Sequence, residues 1–190
     1  MKEAFQLFGE WFEAAKNSGI KEPTAVNLAT ADAKGNPSVR VVLLKAWDER
    51  GFVFYTNANS RKGKELAANA KAALNFYWMD MERQIRIEGD VEMVKDKEAD
   101  DYYNSRHLEK RLGAWASKQS EVLKSRDELV TSIEELRQKY GENPPRPEFW
   151  HGFRVVPKRF EFWQEGEFRL HQRDVFEKDG KGWKHYQIYP

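Results

Sequence analysis

A chain of 190 residues, 40% hydrophobic and 33% charged, is long enough for one compact domain, short for two, and too apolar to be disordered. Its 32 basic and 31 acidic residues leave a net charge of +1, without the basic excess of a dedicated nucleic-acid binder. The complete lack of cysteine excludes disulfides, thiolate catalysis and cysteine-based zinc sites, and is compatible with a reducing compartment.

In chain order, residues 3–18 place Phe5, Phe8, Phe12 and Ala15 at helical spacing, with Gly19 as a stop. Charges inside this apolar run deny it the core of a secretory signal. No apolar run approaches the ~18 residues of a membrane span, so a cytoplasmic location is expected. The period then changes to two: TAVNLATAD, SVRVVLLKAW and GFVFYTN read as strands separated by the turns DAKGNP and DERG. SRKGKELAANA opens a helix with Ser60 as its N-cap, and KAALNFYW and RQIRIEGDVEMV give two more strands. Residues 96–140 are helical in two or three segments, with Ser120 placed to cap the last long one. GENPPRP is a loop, and FRVVPKRFEFWQ, FRLHQRDVFEK and GWKHYQIY complete the β content. An antiparallel meander, then helices, then strands predicts a single domain over 1–190: a β-barrel or sandwich with helices packed outside.

Several groups suit anion chemistry. Arg40 and Lys45 are cations in an otherwise apolar strand, where an unpaired charge is costly. Either they snorkel to water or, having opposite parity, they face different anions. Ser60, Arg61 and Lys62 open a helix after Thr56. Free N–H groups, the positive helix end and two cations there suit a phosphate, although a solvated helix start is the ordinary alternative. In ERQIRIEGD, Ile85 and Ile87 share one strand face, and Gln84, Arg86 and Glu88 the other. Arg86 and Glu88 can pair, leaving Gln84 for heterocycle edges or for solvent. Tyr102 and Arg106 are spaced i, i+4, with Lys110 a turn further on, as a phosphate clamp or a plain surface stack. In EFWQEGEFRLHQR, an extended chain would point Arg169, His171 and Arg173 the same way. No metal-type histidine spacing and no nucleophile elbow appears. Phosphate-seeking cations, aromatics and amides without an activated nucleophile suit a phosphorylated aromatic ligand and a cofactor that carries the chemistry.

The ordered series RVVLLK, FYTNANSRKGKEL, WMDMERQIRIEG, YYNSR, ASKQS, RPEFWHGFRV and EFWQEGEFRLHQR closely resembles the pyridoxamine 5′-phosphate oxidase family, from about Thr24 to the C-terminus. The resemblance implies an FMN-binding split β-barrel that works as a homodimer with FMN at the interface. It further implies oxidation of pyridoxamine or pyridoxine 5′-phosphate to pyridoxal 5′-phosphate, with O2 as acceptor and H2O2 released, in vitamin B6 biosynthesis or salvage. Carried over by motif, Arg40, Val41, Lys45, Tyr55, Thr56, Arg61, Lys62, Gln84, Gln119, Ser120, Trp163 and Arg173 resemble the FMN contacts. Lys45, Tyr102 and Arg106 resemble the clamp on the substrate phosphate, and Arg169 and His171 the catalytic pair over its ring.

Some positions depart from the family pattern. His107 stands where a Pro is usual, Lys110 where a substrate-contacting Ser aligns, and Gln172 where an acid is usual. The tail reads Gln187, Ile188, Tyr189, Pro190. The chain starts almost at its first helix, so a substrate-covering N-terminal segment is expected to be absent. Two other functions compete: a phenazine-branch flavin oxidase, expected to lack Lys45 and the Tyr102–Arg106 clamp, and a flavin- or pyridoxal-phosphate-binding protein without turnover.

Overall fold

The period-two runs do form strands, and they join into one antiparallel sheet. The computed structural model describes residues 2–190. In chain order it runs α1 (Lys2–Asn17), β1 (Ala25–Ala31), β2 (Pro37–Leu43), β3 (Ala46–Asp48), β4 (Gly51–Asn57), α2 (Arg61–Ala68), β5 (Lys71–Trp78) and β6 (Arg83–Met93). Then follow α3 (Asp96–Asn104), α4 (Leu108–Ala116), α5 (Arg126–Tyr140), β7 (Trp150–Gln164), β8 (Gln172–Asp179) and β9 (Gly182–Gln187). The sheet order is β2-β1-β5-β6-β7-β4-β3, with β8 between β7 and β9. The sheet curls into a split barrel, and the apolar face of α1 packs into it. Phe8 meets Phe52 edge-on at 4.7 Å and Trp47 at 5.0 Å, and Phe5 stacks on Phe52 at 5.5 Å. Burying three such rings along one helix face outweighs the weak propensity of aromatics for helices.

The long strand β7 organises the rest. β6 runs along one edge, while the other edge is taken first by β4 (from Trp150 to Val155) and then by β8 (from Arg159 to Gln164). The change falls at Pro157, which has no N–H to donate and belongs at such irregularities. Opposite it, the register slips between Glu88 and Gly89, so that Lys158 is bulged out. Gly89 is required there, because a Cβ would lie 2.0 Å from the Val156 carbonyl oxygen.

Three expectations are corrected. The run SVRVVLLKAW is not one strand: β2 stops at Leu43 and β3 starts at Ala46, leaving Lys45 in the bend. Strand parity therefore does not separate Lys45 from Arg40. The last long helix is capped by Ser125, not Ser120; the Ser125 hydroxyl accepts the Glu128 N–H. Ser125-x-x-Glu128 is a capping-box pattern, and Ser120 has Leu123 at that position. Finally, residues 161–173 are not continuously extended: β7 ends at Gln164, and Glu167–Arg169 form a tight left-handed turn before β8.

Candidate active site

A cleft of about 890 Å³ opens where β2, the start of α2 and the α3–α4 segment converge. Its walls include Arg40, Val41, Lys45, Tyr55, Thr56, Arg61, Lys62, Tyr102, Arg106, Lys110, Gln119 and Ser120, all expected from sequence. Six cations line it and no carboxylate does. Such a surface invites an anion, since the one carboxylate among the described residues that pairs with these cations, Glu65, lies outside the lining and offsets only Arg40 and Arg61.

The cations fall into two poles. At the first, Ser60 caps α2 by accepting the Gly63 N–H. Lys62, only 8% exposed, donates to Thr56 Oγ1 at 3.1 Å, Ser60 Oγ at 3.2 Å and Gln119 Oε1 at 2.9 Å. It has no carboxylate partner among the described residues. Burial, helped by Arg40 and opposed by Glu65, pushes its ammonium down to about 8. Ser120, left-handed at φ 75°, uses its hydroxyl to accept the Arg61 N–H at 3.2 Å, so it caps α2 rather than α5. Arg40 and Arg61 both pair with the buried Glu65, at 3.3 Å and 2.8 Å. Burial alone would raise the Glu65 carboxyl, but hydrogen bonds from Ser38, Thr30 and Arg61 hold it at about 2.

The second pole is built on aromatic rings. Tyr55 of β4 stacks on Tyr102 of α3 at 4.1 Å and on Trp150 of β7 at 5.2 Å. Arg106, just past the end of α3, lies over the Trp150 ring at 4.9 Å. Its Nη1 is buried with no hydrogen-bond partner, a costly arrangement for a cation unless a ligand completes it. Burial lowers both the Arg106 guanidinium and the Lys45 ammonium from their usual values; Lys110 and Arg106 push Lys45 down further, against Glu22. Burial raises the Tyr55 hydroxyl to about 12, so it stays a neutral donor. His107 sits at the start of α4 without a side-chain cap, and that helix carries Lys110 to the cleft rim.

Five expected site residues do not line the cleft: Gln84, Trp163, Arg169, His171 and Arg173. They form a separate cluster around the end of β7. Arg173 opposes Trp163 across β7 and β8, and the His171 ring lies 4.8 Å from Trp163. The shared cationic face does not exist. Arg169 is in the turn, at φ 65°, and Arg173 is paired with Glu161 at 2.7 Å. Glu161 also holds Arg86 and Arg159, so Arg86 pairs across the sheet and not with Glu88, which takes Arg159. Gln172 donates to Asp174 Oδ2 at 2.7 Å, and the altered tail is fastened by Arg173 donating to the Tyr189 carbonyl at 2.8 Å.

Sequence reasoning missed Glu65, Glu161 and Trp150. The first two are buried carboxylates that hold guanidiniums in place. A signal for Glu161 was present, since it alternates with Phe160 and Phe162 in a strand rich in arginine partners. Trp150 offered none beyond its type. Among the described residues, no cluster of His, Asp and Glu could hold a metal, and no helix is long and apolar enough to cross a membrane.

Comparison with known proteins bears on this geometry. Residues 12–140 match the family described as pyridoxamine 5′-phosphate oxidase, and residues 150–190 the pyridoxine 5′-phosphate oxidase C-terminal dimerisation region. A pyridoxine/pyridoxamine 5′-phosphate oxidase of Bordetella pertussis is 51% identical over 98% of this chain and 89% of its own. One from Rubrobacter xylanophilus is 50% identical over 99% and 87%. Among solved structures, PhzG from Burkholderia lata, in complex with tetrahydrophenazine-1-carboxylic acid, superposes with a TM-score of 0.94. It is 35% identical and covers 98% of this chain and 92% of its own. An FMN-binding, pyridoxamine 5′-phosphate oxidase-related protein of Nostoc punctiforme shares the fold, with a TM-score of 0.77 at 15% identity over 95% of each chain.

Proposed function

Because the chain belongs to the pyridoxamine 5′-phosphate oxidase family, we propose that it oxidises pyridoxamine or pyridoxine 5′-phosphate to pyridoxal 5′-phosphate, with FMN as cofactor, O2 as acceptor and H2O2 as by-product. The observation that carries this reading is the pair of cationic poles on either side of an aromatic wall, which suits two phosphates and flat rings. Lys62, with no carboxylate of its own, and the buried, partnerless Arg106 Nη1 fit such ligands.

In this reading Lys62, Arg61 and Arg40 hold the FMN phosphate beside Thr56, Gln119 and Ser120. Lys45, Tyr102, Arg106 and Lys110 hold the substrate phosphate, with Tyr55 and Trp150 as the wall. FMN, when bound, supplies the two-electron acceptor for the substrate C4′–H. A second copy of the chain supplies Gln84, Trp163 and Arg173 to the flavin and Arg169 and His171 to the substrate ring. The dimerisation region containing the last four supports that division. His171 Nδ1 accepts the Gly166 N–H at 3.2 Å, so the neutral ring carries its proton on Nε2, the nitrogen left to meet the substrate.

The test is direct: purify the protein, record a flavin spectrum, and add pyridoxine 5′-phosphate in air. Pyridoxal 5′-phosphate and peroxide should form together. Bound FMN without either product would leave a binding protein. The likeness to PhzG supports a second reading, a phenazine-branch oxidase; turnover of a tetrahydrophenazine carboxylate, with none of pyridoxine phosphate, would establish it. The cations at Lys45 and Arg106 favour a phosphorylated substrate.

Two smaller effects follow. Lys110 is exposed, so Lys110→Ala should raise the substrate KM roughly fivefold, about 1 kcal/mol, with kcat unchanged; an unchanged KM places Lys110 in solvent. Lys62 binds an anion only when protonated. FMN affinity should therefore fall as pH rises past about 8, by up to about tenfold per pH unit. Lys62→Arg, which stays charged, should flatten that slope in flavin fluorescence titrations between neutral and alkaline pH.

A further inference from the structure

Arg146, in the loop between α5 and β7, does not line the cleft, yet it grips both sides of one of its walls. Its side chain is 12% exposed. Nε donates to Asp100 Oδ1 at 2.6 Å, Nη2 to Asp96 Oδ1 at 2.9 Å, and Nη1 to the Trp150 carbonyl at 2.9 Å. Asp96 and Asp100 are one turn apart on α3, so two nitrogens hold a single face of that helix. The third holds the first residue of β7. These two elements carry the two halves of the second pole. α3 bears Tyr102 and leads into Arg106, while Trp150 is the ring on which Arg106 rests.

We propose that Arg146 is a positioning residue for the substrate phosphate, setting the separation between α3 and Trp150 and thereby the aim of Arg106 and Tyr102. The proposal rests on the functional reading above, in which that pole holds the substrate phosphate. A planar fork reaching three acceptors in fixed directions is what a guanidinium provides and an ammonium does not. The helix has other anchors: Arg154 holds Glu98 at 2.9 Å, and the Tyr103 hydroxyl donates to the Arg111 carbonyl at 3.0 Å. Losing Arg146 should therefore misplace α3 without unfolding it. The FMN phosphate pole, at the start of α2, shares none of these bonds.

The test compares two ligands on the FMN-loaded protein: pyridoxal 5′-phosphate, and pyridoxal, which lacks the phosphate. For Arg146→Gln, the dissociation constant for pyridoxal 5′-phosphate should rise roughly tenfold, while those for pyridoxal and for FMN stay within about twofold. Arg146→Lys should fall between, at roughly threefold. Asp100→Asn, at a half-exposed position, removes the charge from one arm of the fork while keeping its acceptor oxygen, and should also give roughly threefold; it decides the matter if Arg146→Gln does not fold. A merely structural role predicts a lower melting temperature with equal losses for the phosphorylated and unphosphorylated ligands. That result, or no loss in the folded variants, overturns the assignment. Failure of the wild-type holoprotein to bind pyridoxal 5′-phosphate overturns the functional reading itself, and this one with it.

Discussion

Arg169→Ala should lower kcat/KM about a hundredfold or more and leave FMN affinity within about twofold, equivalent to losing roughly 2.7 kcal/mol of charge-assisted contact in the transition state. The geometry sets this side chain apart from the other arginines nearby. Phe168 and Arg169 are consecutive left-handed residues, at φ 56° and 65°. For side chains of that size each such conformation costs about 1–3 kcal/mol. The turn is held by the Leu170 N–H donating to the Glu167 carbonyl at 3.0 Å and by the Gly166–His171 hydrogen bond. Gly166 cannot be replaced, since a Cβ would lie 2.3 Å from the Leu170 carbonyl oxygen. Strain maintained by so many local constraints presents Arg169 outward, with no ion pair or hydrogen bond of its own among the described residues. Arg61→Ala should do the reverse, weakening flavin binding more than turnover. Steady-state kinetics alongside flavin fluorescence titration separates the two, and the opposite pattern would refute the division of labour.

Glu161→Gln should cost about 3 kcal/mol of stability and lower the melting temperature by roughly 6–12 °C. This carboxylate is 1% exposed and is the shared partner of Arg86, Arg159 and Arg173, the last at 2.7 Å. Removing its charge leaves three guanidiniums facing one another, and their partial access to water sets the cost at the lower end of the range for a broken buried pair. The pH dependence has a definite sign. Burial alone would raise the Glu161 carboxyl, but the three arginines hold it below its ordinary value of 4.5. Its stabilisation is therefore complete above about 4.5 and is lost as pH falls through the native value. Glu65, held at about 2, loses its contribution over the same acid window. The gap in melting temperature between wild type and Glu161→Gln should be largest near neutrality and shrink by pH 4. A gap that grows on acidification would remove Glu161 as the stabilising charge.

Much of this arrangement was legible in the sequence because its causes are local. Phe5, Phe8 and Phe12 repeat at helical spacing and do bury together. Ser60 precedes a helix and caps it. Lys45, Tyr102, Arg106, Gln119 and Ser120 sit in different segments, yet their motifs bring them to one cleft. What escaped depends on the neighbours a residue meets only after folding. Ser120 and Ser125 both precede a helix, but only Ser125 has the acid three residues on. Arg86 has Glu88 as a sequence neighbour, but the strand opposite offers a drier and closer carboxylate. Arg169 is an ordinary strand residue by type, and its left-handed conformation comes from a turn locked by Gly166. The separation of Arg169, His171 and Arg173 from the cleft was hidden for another reason: under the proposed function they serve a second copy, and linear order does not say which copy of a chain a side chain serves.

The strand β7 begins at Trp150, in the cleft, and reaches Trp163, in the other cluster, after roughly 40 Å of chain at about 3.3 Å per residue. In the proposed two-fold assembly, one subunit contributes the two halves of its functional surface to different pockets. A hybrid assembly of one subunit impaired at Lys62 and another impaired at Arg169 would hold one pocket with both defects and one with neither. Random mixing of two such inactive proteins should then restore about a quarter of the pockets, through complementation between the subunits of a two-fold assembly.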